Sequence, residues 1–183
     1  SRELVKVFRE FVLSNGFPEI ARERDSAVIY KYLKETVVDK ILFKDIPQLF
    51  GVRNAQVLGE LLDIVSYAPG QIIDVSKLAK ELGLSRQAVA SYLEYLEKSF
   101  LLKKVYNFSG SLRRQKRALK KYYPAVVYPQ VVEEKFPLCF ESSLMWQLGA
   151  AFFWRDAYQN EVDAILVEGK EPIPVEIKTG EVD

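Results

Sequence analysis

The fold is decided by "DVSKLAKELGLSRQAVASYLEYLEKSFLLKKVYNF", residues 74–108. Asp74 can cap a short helix, and Gly83 supplies the tight turn that a helix-turn-helix needs. Ser85 can cap a second helix, in which apolar residues recur at helical spacing. The strand-like "LLKKVYNF" follows at once. We therefore predict a helix-turn-helix that leads directly into a strand.

A basic connection, "SLRRQKRALKKYY" (residues 111–123), comes next and is followed by apolar "AVVY" (residues 125–128). Two strands around a basic connection, after a helix-turn-helix, indicate a winged helix, which we place at residues 71–130. The flanking parts of the chain then define two further units. We predict a helical region at residues 1–70 and a mixed domain at residues 131–183, which gives an α+β protein.

Two groups of polar residues in the predicted winged helix could bind DNA. Residues at the start of the second helix can reach base edges or phosphates in the major groove; these are Arg86, Gln87 and Ser91. Residues in the basic connection could contact phosphates; these are Arg113, Arg114, Lys116 and Arg117, followed by Lys120 and Lys121. The alternative is a small helical domain for protein contacts with a solvated charged loop, because Glu94 and Glu97 lie on the same helix and the net charge is only +1.

The first 70 residues show helical periodicity in three segments. The segments are "ELVKVFREFVL" (residues 3–13), "AVIYKYLKETVVDKILFKD" (residues 27–45) and "NAQVLGELLDIVSYA" (residues 54–68). In the second, regular helical spacing predicts one inward face, formed by Ile29, Tyr32, Leu33, Val37, Ile41 and Leu42. Asp25 or Ser26 can cap this helix.

The last unit carries acidic residues in apolar strands. A helix, "CFESSLMWQLGA", precedes three strand candidates, "AAFFWRD", "EVDAILV" and "IPVEIK", with Gly169 in the last turn. Glu176 and Lys178 share a face of their strand, and Asp163 lies on its neighbour. With Glu141 on the helix, these carboxylates could bind Mg²⁺ or Mn²⁺, and Lys178 could stabilise a transition state. The alternative is a hairpin edge blunted by charged side chains.

Composition excludes several chemistries. The chain has no histidine, which removes His-based zinc sites, Ser-His-Asp triads and Cys-His dyads. Cys139 is the single cysteine, so an intrachain disulfide is impossible. No apolar run reaches the ~18 residues that a membrane span needs, and no signal peptide opens the chain, so we expect a cytoplasmic protein. No phosphate-binding Gly-x-x-x-x-Gly-Lys-Ser/Thr loop is present, so this chain cannot itself be an ATPase.

Several segments together resemble the C-terminal half of the archaeal-type AAA+ ATPases. They are "SNGFPEI", "YLKETVVDKILFKDI", "LAKELGLSRQAVASYLEYLEKSFLL", "FFWRDAYQNEVDAILVEG" and "VEIK". The resemblance implies a helical region after a missing ATP-binding module, then a winged helix and a domain similar to the PD-(D/E)XK nuclease fold. It implies Glu141, Asp163 and Glu176 as metal ligands and Lys178 as catalytic base or electrostatic stabiliser. We expect Trp154 to pack in the core.

Three functional hypotheses follow from this resemblance and from the residues. The first is a Mg²⁺- or Mn²⁺-dependent deoxyribonuclease domain that the winged helix directs to DNA. The second is a non-catalytic accessory module that binds DNA, its own ATPase module or a partner protein, with a vestigial nuclease fold. The third is a plain winged-helix regulator. Because the sequence ends soon after "VEIKTG", where a nuclease-like fold usually continues, we expect a fragment of a longer protein.

Overall fold

One six-stranded sheet organises the chain in the computed structural model, which describes residues 2–52, 54–169 and 171–179. The strands are β1 (Gln71–Ile72), β2 (Leu102–Asn107), β3 (Lys120–Pro124), β4 (Phe152–Arg155), β5 (Glu161–Glu168) and β6 (Glu171–Val175). Their order is β1-β3-β2-β4-β5-β6. Neighbouring strands are antiparallel except β2 and β4, which pair in parallel. With helices packed on this sheet, the predicted α+β class is confirmed.

The helices fall between the strands and before them. They are α1 (Arg2–Leu13), α2 (Ser26–Lys31), α3 (Ile46–Phe50), α4 (Gln56–Tyr67), α5 (Val75–Glu81), α6 (Arg86–Lys98), α7 (Leu112–Arg117), α8 (Pro129–Glu134) and α9 (Phe136–Gln147). A short 3₁₀ turn spans Pro18–Ile20. In the described residues, no helix combines the length and apolar character that crossing a membrane requires.

The predicted helix ends in the helix-turn-helix are confirmed. The Asp74 carboxylate accepts hydrogen bonds from the Ser76 and Lys77 amides at 2.8 and 3.1 Å, which caps α5. The Ser85 hydroxyl accepts from the Ala88 amide at 3.1 Å and caps α6. Gly83, with φ of 65°, makes the turn between the two helices, because a left-handed backbone costs glycine little.

The helix between α2 and α3 does not stop but widens into π-helical turns at Tyr32–Val38 and Ile41–Asp45. A π turn holds more residues than an α turn, so it shifts the inward face along the sequence. The buried positions are Ile29, Leu33, Val38, Leu42 and Ile46. The predicted inward positions Val37 and Ile41 are only half-buried, because the prediction assumed regular helical spacing.

Three apolar clusters fill the interior. The largest joins the α2–α3 segment, α4, α5 and α6 around residues such as Leu58 and Leu96. A second lies between the sheet and α9 and contains Tyr123, Met145 and Phe153. The third packs α1 on α8 and α9, where Val132 is fully buried. The first helix is therefore bound to the C-terminal unit.

Three sequence predictions of local structure were wrong. The strand that pairs with β2 after the basic connection is Lys120–Pro124 and not "AVVY", because the lysine-rich segment buries its two tyrosines against the core. Helix α7 occupies the predicted basic loop. Trp154 is 36% exposed and does not pack in the core, since β4 turns its other face, with Phe153, inward.

Candidate functional site

The start of α6 presents polar side chains to solvent. Arg86 and Gln87 are exposed in the first turn, whereas Ser91 is half-buried one turn later. The positive charge of Arg86 also contributes to a lowered pKa of the Asp74 carboxyl, after the larger effect of the hydrogen bonds from Lys77 and Ser76. Arg86 therefore lies near the N-terminus of α5 as well as at the start of its own helix.

Helix α7 carries cations that no described acid neutralises. Arg113, Arg114 and Lys116 are exposed, and none of them forms a salt bridge within the described residues. The side chain of Arg117 lies outside the described part of the structure. The Lys120 ammonium donates to the Lys116 and Ala118 carbonyls at 2.9 and 3.0 Å, so it closes the C-terminal end of α7.

One residue from each predicted DNA-binding group, Arg86 and Lys120, lines a common cleft. Arg86 at the start of α6 and Leu119 and Lys120 just after α7 line the same open cleft, whose volume is about 190 Å³. The folded sheet brings them together, because β3 leads back from α7 to pair with β1, directly before α5. A ligand in this cleft could therefore contact both Arg86 and Lys120.

The two acids that argue against DNA binding by α6 are both neutralised. The Glu94 carboxylate lies 2.7 Å from the Lys98 ammonium one turn later on the same helix. Glu97 forms a salt bridge with Lys104 on β2. Each acid is therefore charge-balanced within the fold and adds little net negative potential to this face.

Asp163 lies at a β-bulge between β4 and β5. Trp154 pairs with Val162, and Phe152 pairs with Ile165. The two pairs are two residues apart on β4 but three residues apart on β5, so β5 contains one extra residue here. Such bulges re-aim side chains and are common beside functional sites. Here the Asp163 carboxylate accepts a hydrogen bond from the Ile177 amide at 2.7 Å, which ties β5 to the segment after β6.

Glu141, on α9, is the centre of a buried ionic network. Its carboxylate accepts a hydrogen bond from the Tyr123 hydroxyl at 2.6 Å, and the Lys121 ammonium lies 3.3 Å away. Lys121 also contacts Glu161 at 2.6 Å, and Glu161 lies 3.5 Å from Arg155. Burial opposes the charged ammonium, but the two glutamates outweigh it and raise the pKa of Lys121. Burial and the Glu141 charge raise the pKa of Tyr123, so its hydroxyl stays protonated.

Glu176 and Lys178 follow the end of β6 and do not join this network. Their side chains pair with each other at 2.5 Å and are 47% and 60% exposed. Val175 and Ile177 pack inward against the cluster under α9, so the intervening side chains point away from it. Among the described residues, no three acidic or thiol side chains form a group that could hold a metal ion. The predicted Mg²⁺ or Mn²⁺ site therefore stays a prediction.

Comparison with known proteins assigns this chain to a protein family. Residues 5–125 match the model of a family described as a domain of unknown function, DUF8612. The chain belongs to the DUF8612 family. An uncharacterized protein of Methanocaldococcus jannaschii is 32% identical over 112 residues, which make up 58% of this chain and 25% of that relative. This chain therefore spans about a quarter of that relative's length. No solved structure matches the chain.

The DUF8612 match ends just after β3, so α8, α9 and β4–β6, with their acidic residues, lie beyond it. Sequence reasoning missed the partners of Glu141 in this network, which are Lys121 and Tyr123 on β3. It grouped Lys121 with the exposed basic residues, whereas Lys121 is only 6% exposed. The spacing of Lys121 and Tyr123, two residues apart in a strand, was the available signal that they share an environment, since it places both side chains on one face.

Proposed function

We propose that this DUF8612 chain binds duplex DNA through a winged helix, and that its C-terminal unit is a non-catalytic accessory to that binding. The observation that carries the proposal is the shared cleft. Arg86, at the start of α6, and the residues that directly follow the cationic helix α7, Ala118–Lys120, line the same open cleft. DNA binding needs both a helix that can enter the major groove and nearby cations for the phosphates.

The winged-helix assignment rests on the arrangement of elements around α6. Helices α5 and α6 meet at the Gly83 turn, and β2 and β3 form a hairpin directly after them. Strand β1, which precedes α5, pairs with β3, so that β1, β3 and β2 form one end of the six-stranded sheet. In this arrangement α6 takes the role of the recognition helix, and α7 takes the position of the wing.

Local charge supports phosphate contact even though the chain has a net charge of only +1. Phosphate binding depends on cations at the interface, because each contact releases condensed counterions from the DNA. Arg113, Arg114 and Lys116 on α7 are exposed and without an acidic partner among the described residues. The acids of α6 are paired with Lys98 and Lys104, so they do not cancel this charge.

The C-terminal unit supports the accessory role better than the nuclease role. Its element order, α9-β4-β5-β6, is the order of the PD-(D/E)XK-like core that the sequence resembles. However, Glu141 is bound to Lys121, and Glu176 is paired with Lys178 at the surface. We propose that the ATP-binding module of the resemblance belongs to the same longer protein, and that this region attaches it to DNA.

The first test measures duplex DNA binding by fluorescence anisotropy over a range of salt concentrations. The triple variant Arg113→Ala, Arg114→Ala, Lys116→Ala should bind more weakly. The slope of its plot of log K against log salt should be smaller in magnitude by about 2–3, because each lost phosphate contact reduces that slope by roughly 0.9. The matched control removes three exposed cations from the helical region, Arg22, Lys31 and Lys40, and should leave binding unchanged. Equal weakening in both variants would show that binding depends on the total charge of the protein and not on α7, and it would overturn the proposal.

A second test separates the accessory role from the nuclease role. Wild-type protein is incubated with supercoiled plasmid and Mn²⁺ beside Asp163→Ala and Glu176→Ala. We expect no nicking that depends on either carboxylate. Nicking by wild type that both variants lose would establish the metal-dependent nuclease instead.

A further inference from the structure

We infer that the buried Lys121 ammonium makes Glu141 part of an internal ion-pair network and not a metal ligand, and that this network fastens the unit of α5, α6, β2 and β3 to the C-terminal unit. This assignment departs from the metal site that the resemblance implies for Glu141. It concerns the interior between α9 and the sheet, and it is independent of DNA binding by α6 and α7.

The first support is the position of the ammonium. The Lys121 side chain is 7% exposed, and its nitrogen lies 2.6 Å from Glu161 and 3.3 Å from Glu141. The Phe153 ring lies on another side, with its centroid 5.5 Å from the nitrogen. A cation placed between two carboxylates against an aromatic ring is well stabilised after losing water.

The second support is the charge balance. Glu141 and Glu161 bring two negative charges, and Lys121 and Arg155 bring two positive ones. A divalent ion added to this balanced group would meet the Lys121 ammonium at short range. A metal ion could bind between these carboxylates only if it displaced the buried Lys121 ammonium, which already pairs with both of them.

The third support is the lack of room beside Glu141. The backbone of Gly70 closes the space, because a Cβ built there would lie 3.3 Å from the Glu141 carboxylate oxygen and 2.9 Å from the Tyr123 ring. A Mg²⁺ or Mn²⁺ ion needs several additional oxygen ligands, usually waters, around one or two carboxylates. The side of Glu141 that faces Gly70, Tyr123 and Lys121 leaves little space for them.

The consequence is a mechanical link between parts that are distant in the sequence. Lys121 belongs to β3, Glu141 to α9 and Glu161 to β5, so one ammonium joins three elements. Because β3 also leads from α7, the network fixes the base of the cationic helix relative to the C-terminal unit.

The test is a Mn²⁺ titration followed by electron paramagnetic resonance of the free ion. Wild type and Glu141→Gln should give the same binding curve, because no bound ion depends on Glu141. A single Mn²⁺ per wild-type chain that Glu141→Gln loses would overturn the inference. This comparison does not require any lysine variant to fold.

A second measurement tests the role of the ammonium directly by thermal unfolding. Lys121→Met should lower Tm by several degrees, because it removes the buried ammonium between two partly buried carboxylates and leaves Glu141 without a cationic partner among the described residues. Lys121→Met combined with Glu141→Gln and Glu161→Gln should recover most of that loss. If the triple variant lost as much stability as the three single substitutions added together, Lys121 would not act as the counter-cation and the inference would fail.

Discussion

At the residue scale, Gly70 lies where the backbone passes closest to the contact between Tyr123 and Glu141. It has φ of 77°, and an added methyl group would approach the Tyr123 ring to 2.9 Å. Tyr123 is fully buried, so its ring cannot swing aside. Glycine is therefore required here both for its backbone conformation and for its small size.

Gly70→Ala should accordingly destabilise the protein more than a glycine substitution that costs only backbone strain. The control is Gly51→Ala, with φ of 66° and no atom within 4 Å of the added carbon. We expect the control to lose about 1–2 kcal/mol and Gly70→Ala to lose about 1–3 kcal/mol more through overpacking. Urea unfolding followed by circular dichroism measures both. Equal losses would show that the Gly70 site relaxes freely.

The single thiol provides a second prediction at this scale. Cys139 is 1% exposed, and burial raises its pKa to about 12 although Lys135 slightly opposes the shift. The thiolate is the reactive form, so native protein should not react with a disulfide reagent at pH 8 over an hour. The same reagent should label one thiol per chain in urea. Rapid labelling of native protein would place Cys139 at the surface.

At the element scale, the π turns between α2 and α3 decide which valine supports the core. Val38 is 3% exposed, whereas the adjacent Val37 is half-buried. Val38→Ala should therefore lower the free energy of unfolding by about 2 kcal/mol, and Val37→Ala by clearly less. Chemical unfolding of both variants measures the difference. A larger loss for Val37→Ala would indicate a regular α-helix through this segment.

Local signals predicted some elements correctly, because their information lies within a few residues. The caps Asp74 and Ser85 and the turn at Gly83 depend on side chains and amides two or three positions apart. The partners of Lys121 could not be found this way, since Glu141 is 20 residues away in the sequence. Only the packing of α9 on β3 brings them together, and the strand alternation that places Lys121 and Tyr123 on one face does not identify the acid that they meet.

At the scale of the whole molecule, β2 and β4 join the sheet of the helix-turn-helix unit to the C-terminal strands. Asn107 reinforces this seam, because its side-chain amide exchanges two hydrogen bonds with the backbone of Arg155, at 2.9 and 3.0 Å. The sequence predicted separate units at residues 71–130 and 131–183. The structure adds that one continuous sheet runs through both.

A continuous sheet predicts that the two parts unfold together. Both tryptophans, Trp146 and Trp154, lie after residue 131, whereas many of the helices precede it. Tryptophan fluorescence and far-ultraviolet circular dichroism should therefore give coincident unfolding curves. Asn107→Ala should shift both midpoints equally, with a loss of about 1–3 kcal/mol as Arg155 backbone groups lose partners. A fluorescence transition well separated from the circular dichroism transition would show that the seam does not couple the parts.

In the proposed complex, DNA lies across the start of α6 and helix α7. Hydrogen exchange followed by mass spectrometry, with and without a saturating duplex, tests it most directly. We expect slower exchange in peptides that cover Arg86–Ser91 and residues 109–120, with α1 and α8 unchanged. Protection confined to α1, α8 or the exposed pair Glu176–Lys178, or no protection by a duplex that binds, would contradict it.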